Sequence, residues 1–274
     1  MTNNVSRRQF VELSGLVAAG LGLVGCGGGS VSSSSDSIKV GIMGPFSGDV
    51  AQYGIACRNG AQLYFKQLNE KGGVNGKQID MDVQDEKGDA TEAVSVYNKL
   101  VQDGVTAIVG DVTSTPTIAV AQASVTDNMP CVTASATAAD GWAGIIGGDQ
   151  DYASAEDLEG CFYDTSFSAS NTTSSVQDFV KAYTDEYGEA PTNFCALGYD
   201  AAAIMAAGLE AAEKSGESAG SDVYKQAVID GIAAAKVSGV TGDISYSGTG
   251  DPVKSTLIIT FKDGKEEIFD TIDA

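Results

Sequence analysis

The chain reads as an α/β protein built around a doubly wound parallel sheet, and two observations predict it. Short β-branched apolar runs alternate with segments of helical spacing through residues 38–133, as stacked β-α units do. Val105 to Val109 carries no charge and is mostly apolar, as a parallel strand buried on both faces requires. The composition agrees: of 274 residues 43% are apolar and 19% charged, which excludes a disordered chain. The 34 glycines against 5 prolines mean tight turns and not rigid linkers.

Taken in order, Ile38 to Met43 is a strand closed by Gly44-Pro45, and Ala56 to Asn69 a helix closed by Gly72-Gly73. Gln78 to Val83 alternates as a strand, and Ala90 to Val101 is a helix stopped at Gly104. After the strand at Val105 to Val109, Pro116 to Thr126 predicts a helix and Cys131 to Thr133 a fourth strand. Further on, the pattern predicts a strand at Phe162 to Phe167 and helices at Val176 to Tyr187, Tyr199 to Lys214 and Val223 to Lys236. A turn-rich crossing over Gly239 to Gly250 and strands at Leu257 to Phe261 and Glu266 to Phe269 complete the chain.

Residues 1–25 read as an export signal. Arg7-Arg8 precedes an apolar run from Val11 to Val24, too short for the roughly 20 residues a bilayer span needs. Leu23-Val24-Gly25-Cys26 resembles the lipobox of bacterial lipoproteins, which implies a lipid on Cys26. The stretch 26–37, nearly all Gly and Ser, is then a flexible tether. These features predict a protein on the extracytoplasmic face of the membrane or in the periplasm. Cys57, Cys131, Cys161 and Cys195 show no framework spacing and read as small buried hydrophobes.

The net charge of −21 and the absence of histidine narrow the function. A negative surface repels phosphate backbones, so nucleic acid is not an expected partner. Without histidine the usual triad base and zinc ligand are gone, and no nucleophile elbow or phosphate loop stands in for them. A secreted α/β enzyme would have to use carboxylates such as Asp85 and Glu86, pairs that arise by chance among 37 acids. No metal and no cofactor is called for.

In doubly wound folds ligands meet the carboxyl ends of the strands. The loops there, Gly44 to Tyr53, Gly110 to Thr117 and Ala134 to Thr137, carry Ser47, Ser114, Thr115, Thr117, Ser135 and Thr137, with Asp49 and Asp111 read as exposed. Hydroxyls and backbone N–H groups at a helix start suit a carboxylate, because the donors are unpaired and the dipole end is positive.

Gly44-Pro45-Phe46-Ser47-Gly48, Ala51-Gln52-Tyr53-Gly54, Asn59-Gly60-Ala61 and Asn69 to Lys77 come in an order that resembles bacterial solute-binding proteins for branched-chain amino acids. Gly198-Tyr199-Asp200-Ala201, Thr241 to Tyr246 and Gly250 to Lys254 continue the likeness. The resemblance implies a type I periplasmic-binding-protein (flytrap) fold that closes over a small amino acid or related carboxylate and delivers it to the permease and ATPase subunits of an ABC importer. It also implies that Ser114, Thr115 and Thr137, with the backbone around Ser135, receive the ligand carboxylate. Tyr53 would pack on the side chain; Asp140, in Ala139-Asp140-Gly141-Trp142, would take the ammonium, with Trp142 also counted among the ligand-binding residues; and Tyr199 would close over the pocket. Each residue has a second reading: the hydroxyls as caps of the helix near Pro116, Asp140 as a solvated turn residue, the rings as core aromatics.

The sequence departs from that pattern between Ala136 and Trp142, where two motifs abut that the family separates by roughly a domain's worth of chain. Residues 38–138 and 199–250 then make the first lobe, and 139–198 with 251–274 the remnant of a truncated second lobe. A deletion artefact, a degenerate or ligand-sensing paralogue without transport, and a lobe completed by a partner chain all fit this.

Overall fold

The computed structural model describes residues 37–135, 160–248, 250–263 and 265–273. Four strands, β1 (Ser37–Gly44), β2 (Gln78–Asp85), β3 (Ala107–Val109) and β4 (Cys131–Val132), form a parallel sheet in the order β2-β1-β3-β4. Helices α1 (Ala51–Glu70), α2 (Ala90–Gln102) and α3 (Ser114–Thr126) connect them. This is the alternation the sequence predicts, and the order with β1 central places a topological switch beside its carboxyl end.

Successive residues of a strand face opposite sides, and both sides here are covered. Ile38, Val40, Ile42, Ala107 and Val109 pack with Ala61 and Phe65 of α1, while Met43 and Ile108 pack with Ala93, Val96, Tyr97 and Leu100 of α2 and Val120 of α3. Burial on both faces explains why β3 carries no polar residue. Asp89 fixes the start of α2 by accepting from the N–H of Thr91 at 2.8 Å and of Glu92 at 2.9 Å.

The chain then adds α4 (Ser174–Tyr187), α5 (Asn193–Glu213) and α6 (Asp222–Ala233). Helix α5 starts six residues before the Tyr199 start that spacing predicts, and it lies against α1 at backbone contact. A Cβ on Gly60 would sit 1.9 Å from the carbonyl oxygen of Cys195, and one on Gly198 2.0 Å from that of Cys57. Only glycine admits such an approach. Long and apolar enough to cross a membrane, α5 is nonetheless mostly buried inside the protein, as a core helix is. Helix α4 joins α1 and α5 through Phe179 and Tyr183 against Leu63, Cys195 and Ala196.

Several boundaries move. The helix predicted to run to Lys236 ends at Ala233, and the turn-rich crossing is an antiparallel sheet of β6 (Lys236–Gly239), β7 (Gly242–Tyr246) and β8 (Pro252–Val253). Buried Asp200 bolts α5 to it, accepting from the N–H of Val240 at 2.9 Å and of Thr241 at 2.8 Å and from the Thr241 hydroxyl at 2.6 Å. A third, antiparallel sheet orders β10 (Lys265–Ile272), β9 (Thr256–Lys262) and β5 (Phe162–Thr165). Every residue of β10 is exposed. The four cysteines among the described residues are free; Cys57 and Cys195 are buried as expected, but Cys161 is exposed beside an edge strand.

Candidate functional site

At the carboxyl ends of β1, β3 and β4 three loops converge. The first is held by Asp85 at the end of β2, which accepts from Phe46 N–H at 2.7 Å, the Ser47 hydroxyl at 2.6 Å and Lys87 N–H at 2.9 Å. Burial opposes the charge on Asp85, but the bonds from Ser47, Phe46 and Lys87 outweigh it and hold the carboxyl below its usual range. The Arg58 guanidinium caps the Phe46 ring at 5.1 Å.

The second loop runs from β3 into α3, which begins at Ser114 and not at Pro116, so Ser114 and Thr115 are first-turn residues. Thr113 occupies the N-cap without forming a side-chain cap, and no acidic residue stands in the first turn. The Thr113 hydroxyl is buried and has no hydrogen-bond partner. A helix start with no capping side chain and no acid in its first turn presents its N–H donors and positive dipole end to an incoming anion.

The third loop brings Ser135 onto the second: its hydroxyl donates to the Val112 carbonyl at 3.0 Å, and the Cys57 thiol of α1 approaches it at 3.9 Å. Thr133 likewise donates to the Asp111 carbonyl at 2.6 Å. Burial pushes the Cys57 thiol up to about 12, so it is an inert neutral neighbour at physiological pH. Tyr53, one turn before Cys57 on α1, packs its ring on Phe194 with centroids 4.9 Å apart.

Ser114, Thr115 and Ser135 are thus gathered at one strand end, with Tyr53 on the helix beside it. Tyr199 is not among them. Its hydroxyl donates to Gln67 at 2.6 Å and its ring packs on Tyr64 and Phe179, about 16 Å along α1 from Tyr53 at 1.5 Å per residue. The ring that α5 brings toward the site is Phe194, which the spacing of apolar residues did not single out. Asp111 corrects a second expectation: it is fully buried. Thr137, Asp140, Trp142 and Cys26 lie outside the described residues. A cavity of about 540 Å³ lined by Gln62, Lys66, Glu186 and Tyr187 opens at the other end of α1 and has no part in this site.

The sequence profile of the periplasmic binding protein family matches residues 37–145 and 141–265. The chain belongs to the periplasmic binding protein family. A leucine-, isoleucine-, valine-, threonine- and alanine-binding protein of Pseudomonas aeruginosa is 41% identical over 109 residues, which are 40% of this chain and 29% of that relative. The chain therefore matches under a third of the length of such curated relatives. Among solved structures, a branched-chain amino acid transporter substrate-binding protein of Streptococcus pneumoniae in complex with isoleucine superposes with a TM-score of 0.71 at 22% identity, covering 87% of this chain and 100% of that one. A solute-binding protein of Rhodopseudomonas palustris in complex with 3,4-dihydroxybenzoic acid gives 0.72 at 18% identity, covering 87% and 98%. These likenesses establish the type I periplasmic-binding fold of this periplasmic binding protein.

Proposed function

We propose that the protein is the extracytoplasmic solute receptor of an ABC importer, binding a small amino acid of branched-chain type by its carboxylate and performing no chemistry. The observation that carries this reading is the uncapped start of α3, set against Ser135 at the carboxyl end of the sheet. Ser114 and Thr115 would hold the carboxylate, and Tyr53 would pack on the side chain. Thr137, Asp140 and Trp142 complete the proposed set, and a permease with its ATPases is the proposed partner. The curated relatives' names, leucine, isoleucine and valine binders among them, support the ligand class.

The two profile matches meet at residues 141–145, where the sequence places the join between first lobe and shortened second lobe, and this supports the proposed division and deletion. The exposed β10 favours, as a second reading, a relative whose second lobe is completed by another chain. Lipid on Cys26 remains part of the proposal: mass spectrometry of membrane-extracted protein should find a diacylated Cys26, and Cys26→Ser should release the protein from the membrane.

Thermal unfolding of the chain from Gly27 onward against amino acids and small carboxylates tests the reading. A ligand at a hundredfold excess over Kd stabilises by about 2.7 kcal/mol. A cooperative transition raised by isoleucine or leucine is the expected result; a transition that no carboxylate moves would overturn it.

A further inference from the structure

Glu86 follows β2 and Asp111 follows β3, so the two acids flank the carboxyl end of the central strand. Both are 0% exposed. Neither oxygen of Glu86, nor Oδ2 of Asp111, has a hydrogen-bond partner, and among the described residues no ion pair joins either to a lysine or arginine. The backbone sets them on either side of β1: Glu86 N–H bonds to the Gly44 carbonyl at 3.1 Å, β3 pairs with β1 as far as Val109, and each acid perturbs the charge of the other. As two carboxylates they could offer each other no donor, and two charges would be buried side by side with only backbone N–H groups, such as that of Val112 on Asp111 Oδ1, to meet them.

One proton changes both facts. It removes a charge and turns an unpaired oxygen into a donor, the arrangement two carboxyls adopt when they cannot both ionise. The groups facing the pair do not supply an alternative: Asp85 is another acid, the Cys57 thiol of α1 is neutral, and the remainder are N–H groups of Gly88, Asp89, Val112 and Thr113. Burial and then Asp111 push Glu86 up to about 8, and burial pushes Asp111 up to about 6 against the N–H groups of Val112 and Thr113.

We propose that Glu86 and Asp111 share one proton beneath the start of α3, and that the pair takes up further proton charge when a ligand carboxylate is received there. The second half rests on the functional reading above. Asp111 already faces the N–H groups of Val112 and Thr113, immediately ahead of the donors offered to the ligand, so the ligand brings a further anion next to the pair. A nearby anion favours the protonated form, and linkage then requires that protonation favour the anion.

Ligand-free thermal unfolding of wild type and Glu86→Gln from pH 5 to 8.5 tests the shared proton. An acid raised by folding stabilises fully below its ordinary value and loses that contribution as pH rises through the folded value. The wild-type midpoint should fall relative to Glu86→Gln by about 3 °C per pH unit across the window. Parallel profiles overturn the proposal. Carboxyl carbon-13 titration of the wild type reads the same proton without a substitution, and a Glu86 signal already ionised at pH 6 overturns it too. So does a midpoint raised by added calcium in the wild type alone, which would replace the proton by a cation.

Calorimetry with isoleucine at pH 7.5 in two buffers of different ionisation enthalpy tests the coupling. Net proton uptake in the wild type, absent in Glu86→Gln, is expected, with affinity gaining up to about tenfold per pH unit of acidification. Binding without uptake overturns the coupling. Failure of isoleucine and every other carboxylate to bind overturns the functional reading, while the ligand-free profiles still decide the shared proton.

Discussion

Ile42 in β1 and Phe269 in β10 are both large apolar strand residues, yet the first is 2% exposed and the second 64%. The difference lies in what surrounds their sheets. The sheet of β2, β1, β3 and β4 has α1 and α5 on one face and α2 and α3 on the other. In the sheet of β10, β9 and β5 only Ile259 and Phe261 are buried, and its exposed face carries Phe162 stacked edge-on against Phe269. A strand's apolar content thus fixes its burial only where neighbouring helices exist to cover it.

The sharpest way to break this contrast is at the crossing of α1 and α5, on which the covered sheet depends. Gly198→Val places carbon atoms inside the Cys57 backbone, and loss of the cooperative unfolding transition is expected, a cost above about 4 kcal/mol. Next comes the core itself: Ile108→Ala, at a fully buried position, should lower denaturant stability by about 3 kcal/mol. Asp200→Ala strands the N–H groups of Val240 and Thr241 and the Thr241 hydroxyl and should cost about 2 kcal/mol.

A smaller effect separates two adjacent acids. Folding holds Asp85 below the usual carboxylate range, so its contribution is present above that range and lost as pH falls through it; Glu86, raised by burial, behaves in the opposite sense. Asp85→Asn should therefore destabilise at pH 7 by about 1 kcal/mol and be silent in strong acid, as urea unfolding at the two pH values will show. Smallest of all, Phe269→Ala in β10 should change stability by less than about 0.5 kcal/mol. Equal losses at Phe269 and Ile108 would mean that the second sheet is covered after all.

The same contrast marks what could be read from sequence. The covered sheet was legible because alternating burial leaves a period: β1 and β2, and helices α2 and α3, fall within a few residues of expectation. Helix α5 starts earlier than the spacing predicts: Gly198 looks like a breaker, and only the close approach of α1 reveals why it sits inside the helix. The hydroxyls at the start of α3 were legible from the run Ser114 to Thr117, whose residue types cap helices and bind anions alike. Phe194 was not, since its role comes from the ring of Tyr53, far away in sequence on α1 and adjacent only in space. Asp85 and Glu86 read as one chance pair of carboxylates among many, and nothing local tells Glu86, which is buried, from Asp85, which is bound to the loop it holds.

The third sheet also has two unpaired edges among the described residues, since β5 and β10 each bond only to β9. Such edges invite pairing between copies, and Glu266, Glu267 and Asp270 along β10 act as electrostatic guards. The guard is conditional. The charge of −21 that keeps molecules apart at neutral pH vanishes near pH 4.1, where the guards on β10 also lose charge. Acid elution and low-pH storage are therefore the conditions under which this protein would turn from a dispersed solute into ribbons joined edge to edge.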